Sequence, residues 1–218
     1  MEKNDDVVIK RLKDNRTYTI RKDRHRFFFP DEWKTFLSHL NPKKKYLFEF
    51  LFNTGVRLDE AVHIRLCDFD FERNNVRVWK TKTKAKKGES FGKPRTISLS
   101  TEYAKRIKKY ISNFPPESFI FKANKKLITI QSANQMMKRV LKKTGIKDTY
   151  NFSTHNIRKT HGMYLKTLGI PIGEICTRLG HDYNTYLLHY SSADIFSERD
   201  VRIIKELLGD LYMRQRRF

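Results

Sequence analysis

Hydrophobic and polar positions change period several times along this chain, and the changes divide it into elements. Residues 1–26 are dense in charge, with two alternating stretches, VVIKRL and RTYTI, that predict an arm or a small hairpin. The globular part begins at FFFPDEWKTFLSHL, where Pro30 suits a first helical position and Asp31 and Glu32 suit the first turn. Asn41-Pro42 opens a second helix, KKKYLFEFLFNT, which Gly55 stops. Its LFEFLF centre is apolar on most faces, which predicts a buried central helix. A short helix, LDEAVHIRL, follows. The period then switches to two: FDFERNNVRVWKT alternates around a polar ERNN turn and predicts a hairpin, and KPRTISL predicts a third strand.

Beyond the strands the pattern is helical again. TEYAKRIKKYISNF follows Ser100, and SANQMMKRVLKKT is closed by Gly145. A helix over about 154–168 has Ser153 as N-cap, with Gly169 and Pro171 as its stop. A shorter helix ends near Gly180 and leaves His181 at a turn, a further segment carries Tyr183, Tyr186 and Tyr190, and an amphipathic helix spans about 197–213. These elements predict a mainly α domain with a small three-stranded antiparallel sheet, over 27–218, preceded by a basic arm at 1–26.

Composition narrows the class of partner. Over 218 residues, 46 Lys+Arg against 24 Asp+Glu give a net charge of +22. Cations that neutralise phosphates release condensed counterions, so a nucleic acid is the expected partner. Cys67 and Cys176 are too few and too far apart for a disulfide framework or a zinc site. The N-terminus carries no apolar stretch of signal-peptide length, and no run reaches the eighteen or so apolar residues of a membrane span. The expectation is a soluble, cytoplasmic, nucleoid-associated protein that makes no contact with membranes.

The candidate chemistry gathers in the stretch STHNIRKTHGMYLKTLGIPIGEICTRLGHDYNTYLLHYS. His155 and Arg158 are three apart on one helical face, His181 follows Leu179-Gly180, and Tyr190 comes nine residues later. Two imidazoles and a guanidinium near a tyrosine hydroxyl suit an attack on a phosphodiester. TGVRLDE adds Arg57 at a helix start with Glu60 one turn on. The segment 80–95 holds seven basic residues and one acid in sixteen positions: Lys80, Lys82, Lys84, Lys86, Lys87, Lys93 and Arg95 are expected to contact DNA. Neither a carboxylate cluster of two-metal type nor a phosphate-cradling glycine loop is present, so no metal or other cofactor is expected.

Taken in order, Arg57 in TGVRLDE, the lysine-bearing β-turn, His155-Asn156-Ile157-Arg158, Leu179-Gly180-His181 and Tyr190 resemble the catalytic domain of the tyrosine recombinase (phage-type integrase) family. The resemblance runs from about Phe28 to the C-terminus. It implies that Tyr190 attacks a DNA phosphate to form a 3′-phosphotyrosine, with Tyr186 the second choice for that role, and that Arg57 and Arg158 clamp the nonbridging oxygens. It also implies that His181 donates a hydrogen bond to the same phosphate, that His155 accepts the tyrosine proton, and that a lysine protonates the 5′-oxygen. Lys82 fits that last role first, Lys80 second and Lys84 third; Glu60 is expected to orient Arg57 or His155. The implied activity is site-specific DNA recombination without metal or ATP. A type IB topoisomerase-like relaxing enzyme and a noncatalytic DNA-binding regulator are the alternatives. Double-stranded DNA is the implied partner. Assembly as a dimer or tetramer through the C-terminal helix and an accessory DNA-binding protein are further expectations. The helical domain that precedes the catalytic one in most of the family has no counterpart in residues 1–26, so the arm or another molecule is expected to complete the grip on DNA.

Overall fold

The computed structural model describes residues 7–11, 17–21, 27–79, 94–123, 126–147, 149, 152–190 and 195–211. Strands β1 (Val7–Arg11) and β2 (Thr17–Arg21) pair antiparallel as a hairpin, Ile9 opposite Thr19. Helix α1 (Pro30–Ser38) starts where Glu32 reaches back to accept a hydrogen bond from the Phe29 amide, 2.9 Å. Helix α2 (Pro42–Thr54) starts where Asn41 accepts from the Lys43 amide, 3.0 Å, and ends at Gly55, whose φ of 66° few other residues would tolerate. Helix α3 (Leu58–Val62) leads into a three-stranded antiparallel sheet of β3 (Phe69–Asp70), β4 (Asn75–Val78) and β5 (Arg95–Ser98). Val76 lies between Phe69 and Ile97 in the register, so the sheet's apolar positions share one face.

Helix α4 (Thr101–Ile111), a small hairpin of β6 (Lys122–Ala123) and β7 (Lys126–Leu127), and helices α5 (Ile130–Leu141), α6 (Thr154–Thr167), α7 (Ile172–Leu179), α8 (Tyr183–Tyr190) and α9 (Glu198–Leu208) complete the described chain. The fold is mainly helical with one three-stranded sheet, as the periodicity predicts. The central helix is α2, with Leu47, Phe48, Phe50, Leu51 and Phe52 buried and α6 packed along it. Phe27, Phe28 and Phe29 are buried beside them in a cluster with Trp33, Phe36 and Phe152. Two hydrogen bonds fasten this entry segment to α6: the Phe28 amide donates to Thr160 Oγ1, 2.9 Å, and Tyr164 Oη donates to the Phe28 carbonyl, 3.1 Å. Each fully buried Phe contributes about 1.5–3 kcal/mol, so this interface fixes α6 firmly against α2. Arg158 stands on α6, and Arg57 follows the end of α2 at the start of α3.

The structure differs from the sequence expectations in the extent of several elements, α3 among them, which covers Leu58–Val62 of the expected LDEAVHIRL. Strand β3 is only two residues long, because the polar ERNN turn draws the chain away; Asn74 takes a φ of 50° there. The β6–β7 hairpin is too short to leave a periodic signal. The α-helical part of α9 ends at Leu208, where Gly209 takes φ 58°, ψ −138°, and positions 212 and 213 of the expected helix lie outside the described residues. Asp210 then turns back to cap α4, accepting from the Thr101 amide at 2.7 Å and from its hydroxyl at 2.5 Å. Ile204 and Leu208, the centre of the α9 apolar stripe, are buried in the chain's own core, and Lys34 on α1 pairs with Glu206 at 2.8 Å. That face of the helix is therefore covered within the chain itself. Among the described residues no helix is long and apolar enough to cross a membrane.

Candidate active site

The ends of α2, α6, α7 and α8 converge, and the candidate residues sit at those ends. Gly55 turns the chain from α2 toward α3. A Cβ there would lie 2.5 Å from His161 Cδ2 and 2.7 Å from Leu179 Cδ2, so only glycine lets the three helices meet. Arg57 is the N-cap of α3, and its side chain is 28% exposed. Glu60, buried one turn on, accepts from the Arg57 amide at 2.8 Å and from Arg57 Nη1 at 3.2 Å. Burial alone would raise the Glu60 carboxyl, but the hydrogen bonds and charge of Arg95, with the Arg57 amide, hold it below the usual carboxylate range.

Arg158 rises from α6 into the same junction and is 1% exposed. Its Nη1 donates to the Gly55 carbonyl at 2.7 Å, and its Nη2 to the Leu179 carbonyl. Its Nε is buried with no hydrogen-bond partner among the described residues. Burial pulls the guanidinium down to about 9, so it remains cationic at neutral pH. His155, one turn earlier on α6, is exposed.

Gly180, at φ 60°, ends α7 in the left-handed conformation, and the His181 amide closes the turn on the Cys176 carbonyl at 3.0 Å. The His181 ring is then 6.0 Å from that of Tyr190. Tyr190 is the last residue of α8, stacked on Tyr186 at 5.3 Å, with its carbonyl held by Lys166 Nζ at 2.8 Å. It is 1% exposed. Burial pushes its hydroxyl up to about 12, against the opposing charges of Arg158 and Arg57. Tyr186 is buried beside it, whereas Tyr183 is 56% exposed.

Gly162 forms the floor under Tyr190. A Cβ on it would lie 2.5 Å from Tyr190 Cε1 and 3.1 Å from Leu179 Cδ1. A glycine inside a helix costs about 1 kcal/mol relative to alanine, so its presence in α6 is the trace of this close approach. Gly162→Ala is expected to lower the thermal midpoint, because overpacking costs about 1–3 kcal/mol and outweighs the gain in helix propensity. An unchanged or raised midpoint would show that the ring moves aside freely.

Two groups give no signal in the sequence. His161 is fully buried, and its Nε2 accepts from Arg178 Nε at 2.8 Å. Arg178 Nη2 donates to the carbonyls of Asn53 and Ser98, both at 2.8 Å, joining α2 to β5. A guanidinium can only donate, so Nε2 is unprotonated and the ring is neutral. Burial, then the charges of Arg178 and Arg158, push the ring well below its ordinary range. The unfolded chain takes up a proton below about pH 6.5 that the folded chain refuses. Stability is therefore lost as pH falls from there toward the folded value, by about 1.4 kcal/mol per pH unit. Denaturant melts of the native chain and of His161→Gln should differ by a constant amount above pH 7 and by a shrinking amount below 6.5. A difference independent of pH would contradict this.

Of the seven cations of segment 80–95, Lys80, Lys82, Lys84, Lys86, Lys87 and Lys93 lie outside the described residues. Arg95, expected among the DNA contacts, does not face outward; its side chain is 10% exposed. It is turned in onto Glu60, with Nη2 to Oε2 at 2.7 Å and Nη1 to Oε1 at 3.1 Å. Among the described residues no group of three or more His, Cys, Asp or Glu is placed to hold a metal ion. A groove along β3 and β4, lined by His63, Arg65, Arg77, Trp79 and Phe119, contains none of the candidate catalytic residues.

The model of the phage integrase family matches residues 26–195. Tyrosine recombinase XerC of Staphylococcus carnosus (strain TM300) is 24% identical over 168 residues, covering 71% of this chain and 53% of that protein. The chain thus spans about half the length of the curated relatives it matches. Among solved structures, the XerA recombinase superposes with a TM-score of 0.65 at 19% identity, over 89% of this chain and 67% of that one. The Tn1549 transposon integrase in complex with a circular intermediate DNA also gives 0.65, at 20% identity over 85% and 66%. At these identities the structural likeness is one of fold.

Proposed function

Because this chain belongs to the phage integrase family, we propose that it cuts and rejoins DNA strands at specific sites, with Tyr190 as nucleophile. The observation that carries this reading is the setting of Tyr190: a buried hydroxyl whose ionisation is opposed by burial and favoured by Arg158 and Arg57, with the His181 ring 6.0 Å away. Those cations serve a phosphate as well as a phenolate. Attack builds charge on the phosphoryl oxygens, and preorganised guanidinium forks stabilise it without reorganisation.

Tyr190 Oη forms the bond to phosphorus, and the bond from phosphorus to the 5′-oxygen breaks. The phenol proton passes to His155, which the solvent can reach, and a lysine of the 80–93 segment protonates the departing oxygen. Lys82 is the first choice for that role. Arg57 and Arg158 hold the nonbridging oxygens, His181 donates to one of them, and Glu60 sets the bearing of Arg57. The phosphotyrosine conserves the energy of the broken bond, so another strand's 5′-hydroxyl can displace it without metal or ATP. The Tyr190 hydroxyl must leave its buried position to meet the phosphate. Double-stranded DNA is the partner, and exchange between two sites requires at least two copies of the chain.

The reading is tested by incubating the protein with a pool of nicked, randomised suicide duplexes and isolating DNA covalently bound to protein. Recovery of an adduct enriched in one sequence supports a recombinase. Absence of any adduct from the pool and from native host DNA overturns it, and relaxation of supercoiled plasmids regardless of sequence replaces it with a topoisomerase-like activity.

A further inference from the structure

We propose that Arg95 is a positioning residue that locks Arg57 and His181 into one phosphate-binding set. This rests on the catalytic reading above. The side chain of Arg95 is 10% exposed, so it is spent inside the protein. Its two terminal nitrogens meet both oxygens of Glu60, at 3.1 and 2.7 Å, a fork-to-fork pair of high directionality. Its Nε donates to the Arg178 carbonyl at 3.0 Å. One guanidinium therefore grips two elements that carry different candidate catalytic groups.

On the Glu60 side, the same two carboxylate oxygens hold the amide and Nη1 of Arg57. Without Arg95, Glu60 would be a buried carboxylate paired, among the described residues, with the partly exposed Arg57 and helped only by the nearby charge of Arg158. A half-compensated buried charge is costly and moves or takes up a proton. On the other side, the Arg178 carbonyl belongs to the last turn of α7, where carbonyls lack helical partners. The next carbonyl, of Leu179, is taken by Arg158. Arginines from β5 and α6 thus clamp consecutive carbonyls, three and two residues before His181. Gly180 lies against the clamp: a Cβ there would come 3.3 Å from Arg95 Nη1.

A lysine at 95 would keep the charge but could not span Glu60 and the Arg178 carbonyl as a planar fork. The fork, rather than the charge, is what couples Arg57 to His181.

The test has one arm free of DNA and one on DNA. Amide hydrogen exchange is compared for the native chain, Arg95→Lys and Arg95→Gln. Both variants should exchange at least about tenfold faster at the Arg57 and His181 amides, with α1 and α4 unchanged. Native-like protection at Arg57 and His181 would overturn the proposal whatever the protein does to DNA. On a trapped suicide duplex, single-turnover cleavage should fall about 100-fold in Arg95→Gln, the scale of a roughly 1 Å misplacement. Arg95→Lys should regain only a small part. DNA affinity and its salt dependence should stay as in the native chain. Weaker binding with a salt slope reduced by about one would mark Arg95 as a phosphate contact and reject the proposal. The loss should also largely vanish when Arg95→Gln is made in an Arg57→Gln background, whereas general destabilisation would add to it. If the native chain traps no DNA while the exchange pattern holds, the recombinase reading falls and the coupling stands.

Discussion

Tyr190→Phe should abolish the covalent protein–DNA adduct while leaving DNA affinity within about twofold. Removing the attacking oxygen of a covalent mechanism costs about 10⁴–10⁶ in rate. The phenyl ring keeps the stack on Tyr186 and the fit over Gly162, so the fold should tolerate the change. The measurement is a denaturing gel of suicide-substrate reactions beside a binding curve. An undiminished adduct in Tyr190→Phe would move the nucleophile elsewhere, and mapping the modified peptide would say whether Tyr186 carries it.

Arg158→Gln should produce the second largest effect, and on two observables at once. The Gly55 and Leu179 carbonyls would lose a charged donor, and each buried group left unpaired costs about 1–3 kcal/mol. The thermal midpoint should therefore drop. Cleavage, measured well below that midpoint, should fall by about 10²–10³, as expected when one preorganised donor to the phosphoryl oxygens is removed. A variant that melts early yet cleaves at the native rate would make Arg158 a structural strut, and the phosphate clamp would then rest on Arg57 alone.

Both predictions concern groups whose residue types are legible in the sequence and whose settings are not. HNIR, LGH and the tyrosine nine residues later stand in plain order, because attack on a phosphate needs those functional groups. Nothing in that order says that Tyr190 is buried or that His155 is exposed. Lys80, Lys82, Lys84, Lys86, Lys87, Lys93 and Arg95 read alike as a run of cations. Arg95 alone starts β5, whose register brings it beside Glu60, 35 residues away in sequence. His161 and Arg178 are 17 residues apart and on different helices, and neither spacing nor composition hints at their pairing.

The sequence by itself determined the helices, the sheet and most of their ends, because those signals are local. Asn41 and Ser100 cap amides two and three residues away, and Gly55 and Gly180 accept at no steric cost the left-handed turns that end their helices. It also determined which functional groups the site could draw on. Tertiary structure alone decided which carboxylate each arginine meets, which histidine is kept neutral, and that Tyr190 waits with its hydroxyl inside. Those outcomes depend on desolvation and on partners supplied by distant elements, and both arise only when α2, α6, α7 and α8 close around one junction.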